Sequence, residues 1–480
     1  MIFGYPDEPT VLAGGRLTLR VSTDAPEFRV EFHRWGDGLT FQGRSPWWPG
    51  RHAPAHPPYQ DWGQPGTGLR GEELAGWPAY HVAVPGDWPS GVYLAILVEG
   101  DGRGRAAHRA GAHGAAHRAG AHGAAHRADA RQGRALFVVR HARPESSILY
   151  KLPLLTYHAY NRVTARGYDP ATGRGGWCLY TVPPPGQVPV PVPPTVSVRR
   201  PGGGVGGTPW DVDNFDPFDP SPRQTFAHWD APFIAWLERT GRRVDYCTDL
   251  DLHRDVAGDL LEGYRLLLSV GHDEYWTDAM RTHVERFVRA GANVAFFGGN
   301  TCWWRVEFDG QLSFRRVSFW SDVPAPGRPE NILTGVSFRN GGERDRDNHP
   351  VAVGYRAQHT DHWVYEGTGL RDGNTFGDRP DEYLVGYECD GAHFDRGRLA
   401  RGLPIRPTGD DGTPAGFTIL GVGDLAVSGW GLGNAAATMG LHTDHGTVFT
   451  AATTDWARVL GSGRSPVVER ITRNVLDRLG

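Results

Sequence analysis

Apolar residues follow two rhythms along this chain. Up to about residue 140 they alternate with polar ones, as in Arg16-Leu17-Thr18-Leu19-Arg20-Val21-Ser22 and Phe28-Arg29-Val30-Glu31-Phe32-His33-Arg34. Side chains two apart share a face of a strand, so this alternation predicts strands buried on one side. Ala79–Val84, Gly91–Val98 and Ala135–Val139 read as further strands, with turn residues between them. Short strands separated by turns predict a β-sandwich of immunoglobulin or fibronectin type over residues 1–143. Residues 103–133 interrupt it with a repeat, Ala-Ala-His-Arg-Ala-Gly-Ala-His-Gly at Ala106–Gly114 and again at Ala115–Gly123. Its small residues cannot build a core to hold the histidines, which predicts a disordered extension rather than a metal site.

The second rhythm begins near Ser147 and covers 147–480. Tyr150–Thr156 reads as a first buried strand with Tyr157-His158-Ala159-Tyr160-Asn161 at its end. Phe226, Trp229, Phe233, Ile234 and Leu237 form a helical stripe, and Arg243–Thr248, Leu266–Val270 and Asn293–Phe297 are strand-length apolar runs. Thr277 reads as the N-cap of a helix whose apolar positions are Met280, Val284, Phe287 and Val288. Alternating strands and helices predict an α/β unit, a parallel sheet flanked by helices. Beyond Arg305 the pattern weakens until a final helix at Val467–Leu479.

The chemistry gathers where the run Leu266-Leu-Leu-Ser-Val-Gly271 ends in His272-Asp273-Glu274-Tyr275-Trp276. The carboxyl ends of parallel strands form the ligand side of such sheets. In extended chain His272 and Glu274 face one way and Asp273 the other, so an imidazole and a carboxylate address one ligand. Tyr157–Asn161 and Gly298–Arg305 should reach the same edge, adding tyrosines, Asn300 and an arginine. The plain structural alternative is that His272 and Glu274 cap the helix and pair with Arg281 or Arg286.

Composition narrows the class. A net charge of −4 gives no electrostatic case for nucleic acid. No apolar run approaches the roughly 20 residues of a membrane span. The amino terminus lacks the basic and apolar regions of a signal peptide, so the expected location is cytoplasmic. Cys178, Cys247, Cys302 and Cys389 are scattered without a C-x-x-C pair, predicting reduced thiols.

Gly271-His-Asp-Glu-Tyr-Trp276, Thr156-Tyr-His-Ala-Tyr-Asn161 before it and Phe296-Phe-Gly-Gly-Asn300 after it resemble the large (beta) subunit catalytic domain of the N,N-dimethylformamidase family. Val244–His253 and Gly446–Trp456 fit as well, and the resemblance runs from about Ser147 to the carboxyl terminus. It implies a class I glutamine amidotransferase-like core and an iron-dependent amidohydrolase. In that family one Fe(III), mononuclear, is held by two tyrosines and a glutamate. Carried over by motif, the metal ligands are Tyr160, Tyr180 and Glu274, with Tyr157 open as an alternative to Tyr160. His272 becomes a proton shuttle, and Asn300 positions substrate or water. The resemblance also implies a small subunit encoded elsewhere; a homo-oligomer stays open.

Three rival readings remain. A cysteine-dependent hydrolase needs a thiol at the strand-to-helix turn, which carries His272-Asp273-Glu274 instead. A zinc hydrolase would use His359-Thr-Asp-His362 and His442-Thr-Asp-His445. A non-catalytic binding module would line a groove with the 17 tryptophans, although aromatic residues mostly build cores.

Overall fold

The computed structural model describes residues 2–53, 77–101, 132–161, 178–180, 195–204, 225–310, 312–323, 327–343, 352–429 and 431–480. The histidine repeat lies outside these residues, apart from the start of the strand Gln132–Arg140. So does the proline-rich Val182–Pro194.

The alternating strands of the amino-terminal part form two sheets. Ile2–Pro6, Arg16–Thr23 and Ala79–Ala83 make one, antiparallel throughout. Thr10–Leu12, Gln132–Arg140, Gly91–Gly100, Glu27–Gly36 and Gly38–Arg44 make the other, in that spatial order. Leu17, Leu19, Val21, Phe28, Val30, Phe32, Tyr93, Leu97 and Phe137 form a shared core. In Gly91–Gly100, however, the opposite face is buried too: Val92 and Leu94, with Leu136 and Val138, join the core that holds Leu154, Tyr157 and Trp229. This explains why Gly91–Val98 is nearly continuous in apolar residues rather than alternating, since one face meets the small sheet and the other meets the rest of the protein. Trp35 Nε1 to the Ala231 carbonyl (3.0 Å) and Thr10 Oγ1 to Asp251 (2.7 Å) add polar ties across the same contact.

Among the described residues the main sheet has nine strands. Asp245–Thr248, Ile148–Leu152, Leu266–His272, Asn293–Gly299 and Thr447–Thr450 are neighbours in that order and parallel. Ala436–Thr443, Thr418–Asp424, Tyr355–Ala357 and Thr375–Phe376 continue it antiparallel. The sheet is therefore mixed, and its second half is built from the stretch where the sequence pattern faded. Every residue of Leu266–His272 is buried, as a strand with neighbours on both sides and cover on both faces requires. Gly271 takes φ +71°, and a Cβ there would come within 2.6 Å of Trp229 Cβ, so only glycine fits at this point of the strand.

Two local expectations change, and one stretch left unread takes a definite form. The chain after Leu152 does not stay extended: Pro153 opens the helix Leu154–Tyr160, which puts Tyr157 and Tyr160 on a helix. The stripe Phe226–Leu237 is two helices, Phe226–Trp229 and Ala231–Arg239, split at Asp230 ahead of Pro232. The acidic stretch Asp249–His253 is a helix, Asp249–Arg254, closed by a capping box between Thr248 and Asp251. The helix after the central strand forms where expected, at Asp278–Arg289, with Thr277 Oγ1 accepting the Met280 N–H.

Candidate functional site

Three far-apart segments meet beyond the end of Leu266–His272. Glu274 is held in place by its backbone N–H, which donates to Thr156 Oγ1 (3.0 Å) on the Leu154–Tyr160 helix. That helix carries Tyr160, whose hydroxyl donates to Glu274 Oε2 at 2.7 Å. Tyr180 enters from the short stretch Cys178–Tyr180, pinned by the Leu179 N–H on the Ala159 carbonyl (2.8 Å). Its hydroxyl lies 3.2 Å from Glu274 Oε1 and 3.0 Å from the Tyr160 hydroxyl. The rings of Tyr160 and Tyr180 stack with centroids 4.8 Å apart. Two phenols thus converge on one carboxylate, Tyr160 on Oε2 and Tyr180 on Oε1.

Tyr157 does not take part. Its hydroxyl donates to Asp230 Oδ2, and Tyr150 donates to Oδ1 of the same carboxylate at 2.7 Å. Of the two tyrosines the sequence left open, Tyr160 reaches Glu274. Arg305, expected at this edge, turns instead to Asp278 (2.7 Å) and Glu307 (3.0 Å). The arginine near the site is Arg316, whose guanidinium lies 4.5 Å from the centre of the Tyr180 ring. Arg281 pairs with Glu285 rather than with His272 or Glu274.

His272 faces two carboxylates. Its Nε2 is 3.4 Å from Glu274 Oε2 and 2.6 Å from Glu388 Oε2. Sequence reasoning missed Glu388, which lies on the short strand Glu388–Gly391 in the weakly patterned part of the chain. Asn300 Nδ2 donates to the same Glu388 oxygen at 3.2 Å. The Asn300 backbone is left-handed, φ 49°, and Asp390 holds it by accepting the N–H groups of Asn300 (2.9 Å) and Thr301 (3.2 Å). One short strand therefore supplies both the carboxylate that meets His272 and the one that shapes the Asn300 turn. The only signal in the sequence was the period-two spacing of Glu388 and Asp390.

Asp273 points the other way, as alternation requires. Its carboxylate meets Lys151 Nζ at 2.6 Å, Ser269 Oγ at 2.5 Å and Trp276 Nε1 at 3.0 Å, all buried. Its carbonyl accepts the Cys302 N–H (2.9 Å), tying the two strand ends together.

Burial dominates the electrostatics. It pushes the Glu274 carboxyl up to about 7 against the pull of His272, with Glu388 adding to the rise. Burial first, and then Glu274, drive the Tyr160 and Tyr180 phenols well above their ordinary value. Both phenols donate to Glu274, and hydrogen bonds account for the short distances within the trio. Phenolate and carboxylate oxygens are hard donors, and a cation would compensate the charge that burial disfavours. The residues present fit a mononuclear metal ion held by Tyr160, Tyr180 and Glu274.

The two His-Thr-Asp-His segments are taken up locally. Asp372 accepts the Thr360 N–H (2.8 Å), His362 accepts the Val364 N–H, and burial lowers His442 to about 4. Among the described residues no group of three or more His, Cys, Asp or Glu is placed to hold a metal. Cys302, at the end of the neighbouring strand, is buried with its thiol pushed up, the reverse of an activated nucleophile.

Residues 41–469 match the family described as N,N-dimethylformamidase beta subunit-like, C-terminal. The match begins inside the amino-terminal sheets, well before Ser147. A stretch of 93 residues is 32% identical to the N,N-dimethylformamidase beta subunit of Alcaligenes sp. That stretch covers 18% of this chain and 12% of the relative.

Proposed function

The chain belongs to the N,N-dimethylformamidase beta subunit-like family, and from that premise we propose that it hydrolyses the C–N bond of a small amide or formamide at an iron site. The observation that carries this reading is the convergence of the Tyr160, Tyr180 and Glu274 oxygens within hydrogen-bond distance of one another.

Tyr160, Tyr180 and Glu274 would hold a single Fe(III). When bound there, the ion supplies Lewis acidity toward the amide carbonyl and the attacking water. His272 and Glu388, 2.6 Å apart, provide a place for a proton taken from that water. Sharing it between imidazole and carboxylate keeps charge from building up on one buried group. The same pair can return the proton to the departing nitrogen, so that the leaving group is a neutral amine. Asn300 fixes the Glu388 oxygen that meets His272 and so keeps the pair aligned. Near-complete burial of His272, Glu274 and Asn300 limits competing bulk water.

Two finer parts of the reading rest on the same membership, a glutamine amidotransferase-like core in the parallel half of the sheet and a small partner subunit, whereas an immunoglobulin-like amino-terminal sandwich rests on the alternating strands there. The relative is named as a beta subunit, which favours an assembly of several chains. Among the described residues no helix is long and apolar enough to cross a membrane.

The test is product release. Iron-loaded protein incubated with a panel of formamides and primary amides should liberate formate, amine or ammonia from at least one of them. Binding of such compounds without release, across the panel, would favour the binding-module reading.

A further inference from the structure

The two phenols of the proposed ligand set have different surroundings. Tyr160 Oη meets Glu274 Oε2 at 2.7 Å. Tyr180 Oη meets a third phenol as well, Tyr275, at 2.5 Å. The Arg316 guanidinium lies over the Tyr180 ring at 4.5 Å and is fixed by Trp304 on its other contact (4.6 Å) and by the Leu179 carbonyl (2.7 Å). Tyr275 and Arg316 belong to one small sheet, Thr195–Ser197, Ser313–Phe319, Trp304–Asp309 and Tyr275–Trp276. That sheet packs a proton donor and a positive charge against Tyr180.

In the metal-free trio either phenol of the Tyr180–Tyr275 pair can donate. Around a cation Tyr160, Tyr180 and Glu274 would be deprotonated, their protons released to solvent, and Tyr275 would be the member of this group that still carries one. The 2.5 Å contact then runs from Tyr275 O–H to the Tyr180 phenolate, a charge-assisted bond. Such a bond draws electron density from the phenolate oxygen, and a guanidinium over the ring acts in the same sense. We propose that Tyr275 and Arg316 are positioning residues that make Tyr180 the weaker electron donor of the two phenolates, so that the iron site is electronically lopsided by design of the outer sheet. This rests on the assignment of Tyr160 and Tyr180 as ligands.

Phenolate bound to ferric ion absorbs visible light by charge transfer, and the band energy reports how tightly the phenolate holds its electrons. Iron content and visible spectra of the ferric protein are to be compared with those of Tyr275→Phe and Arg316→Met. Both variants should retain iron and move the absorption maximum to longer wavelength, with Tyr275→Phe losing about three- to tenfold in turnover, the cost of about one hydrogen bond. An unmoved maximum with iron retained would overturn the inference and leave the ligand set standing. Loss of iron from Tyr275→Phe, with Arg316→Met unshifted, would overturn it by making Tyr275 a ligand. Should Tyr275→Phe fail to fold, Arg316→Met decides alone by its shift. Iron bound to the native chain with no visible charge-transfer band would instead contradict the ligand assignment itself.

Discussion

His272 Nε2 and Glu388 Oε2 stand 2.6 Å apart at the junction of the central strand and a short strand from the carboxyl-terminal half of the chain. A carboxylate at this distance stabilises the imidazolium once formed. Glu388→Gln keeps the shape and removes the charge. It should lower kcat for amide hydrolysis by about a hundred- to ten-thousandfold, the range of general acid–base contributions, with iron content unchanged. A loss under threefold would remove Glu388 from the proton path.

Lys151 and Asp273 form a fully buried ion pair directly behind the His272–Glu274 turn. Breaking such a pair on one side leaves an uncompensated charge, at a cost of about 3–5 kcal/mol. Lys151→Met should therefore lower urea-unfolding stability by about that amount, and adding Asp273→Asn should restore most of it. Equal instability of the single and double variants would show that packing, not charge, is what Lys151 provides.

Asp230 is buried beneath Tyr150 and Tyr157, and burial raises its carboxyl to about 7. Its folded value lies above its unfolded one, so the unfolded chain gives up this proton first as pH rises. The folded state consequently loses stability between about pH 4 and pH 7 through this group, by a few kcal/mol. Asp230→Asn cannot titrate. Relative to the native protein it should gain stability on going from pH 5 to pH 8, read as melting temperatures of metal-free samples. A pH-independent difference between the two proteins would contradict the assignment.

How much of this was legible in the sequence follows from where each contact comes from. The unit Leu266–Arg289 was readable because a strand covered on both faces is apolar without interruption, and the helix after it repeats its apolar positions with helical spacing. The proposed ligand trio was named through the motif resemblance; the choice between Tyr157 and Tyr160 was not readable, because it depends on Asp230 occupying one of them. Glu388 was invisible for a different reason. Its strand pairs with Ser337–Glu343 through a shifted register rich in glycine, so nothing beyond the two-residue spacing of Glu388 and Asp390 marks it, and its partner His272 is remote in sequence. The mixed sheet escaped notice likewise, since short antiparallel strands such as Tyr355–Ala357 and Thr375–Phe376 carry too few residues to show a pattern.

Cation binding by the two phenols and Glu274 is the claim on which the mechanism stands. Elemental analysis of the purified chain beside Glu274→Gln and Tyr180→Phe tests it. About one iron per native chain, with the metal largely lost from both variants, is the expected result. Iron retained in full by both variants, or a native protein that takes up none when supplied with ferric ion, would contradict it.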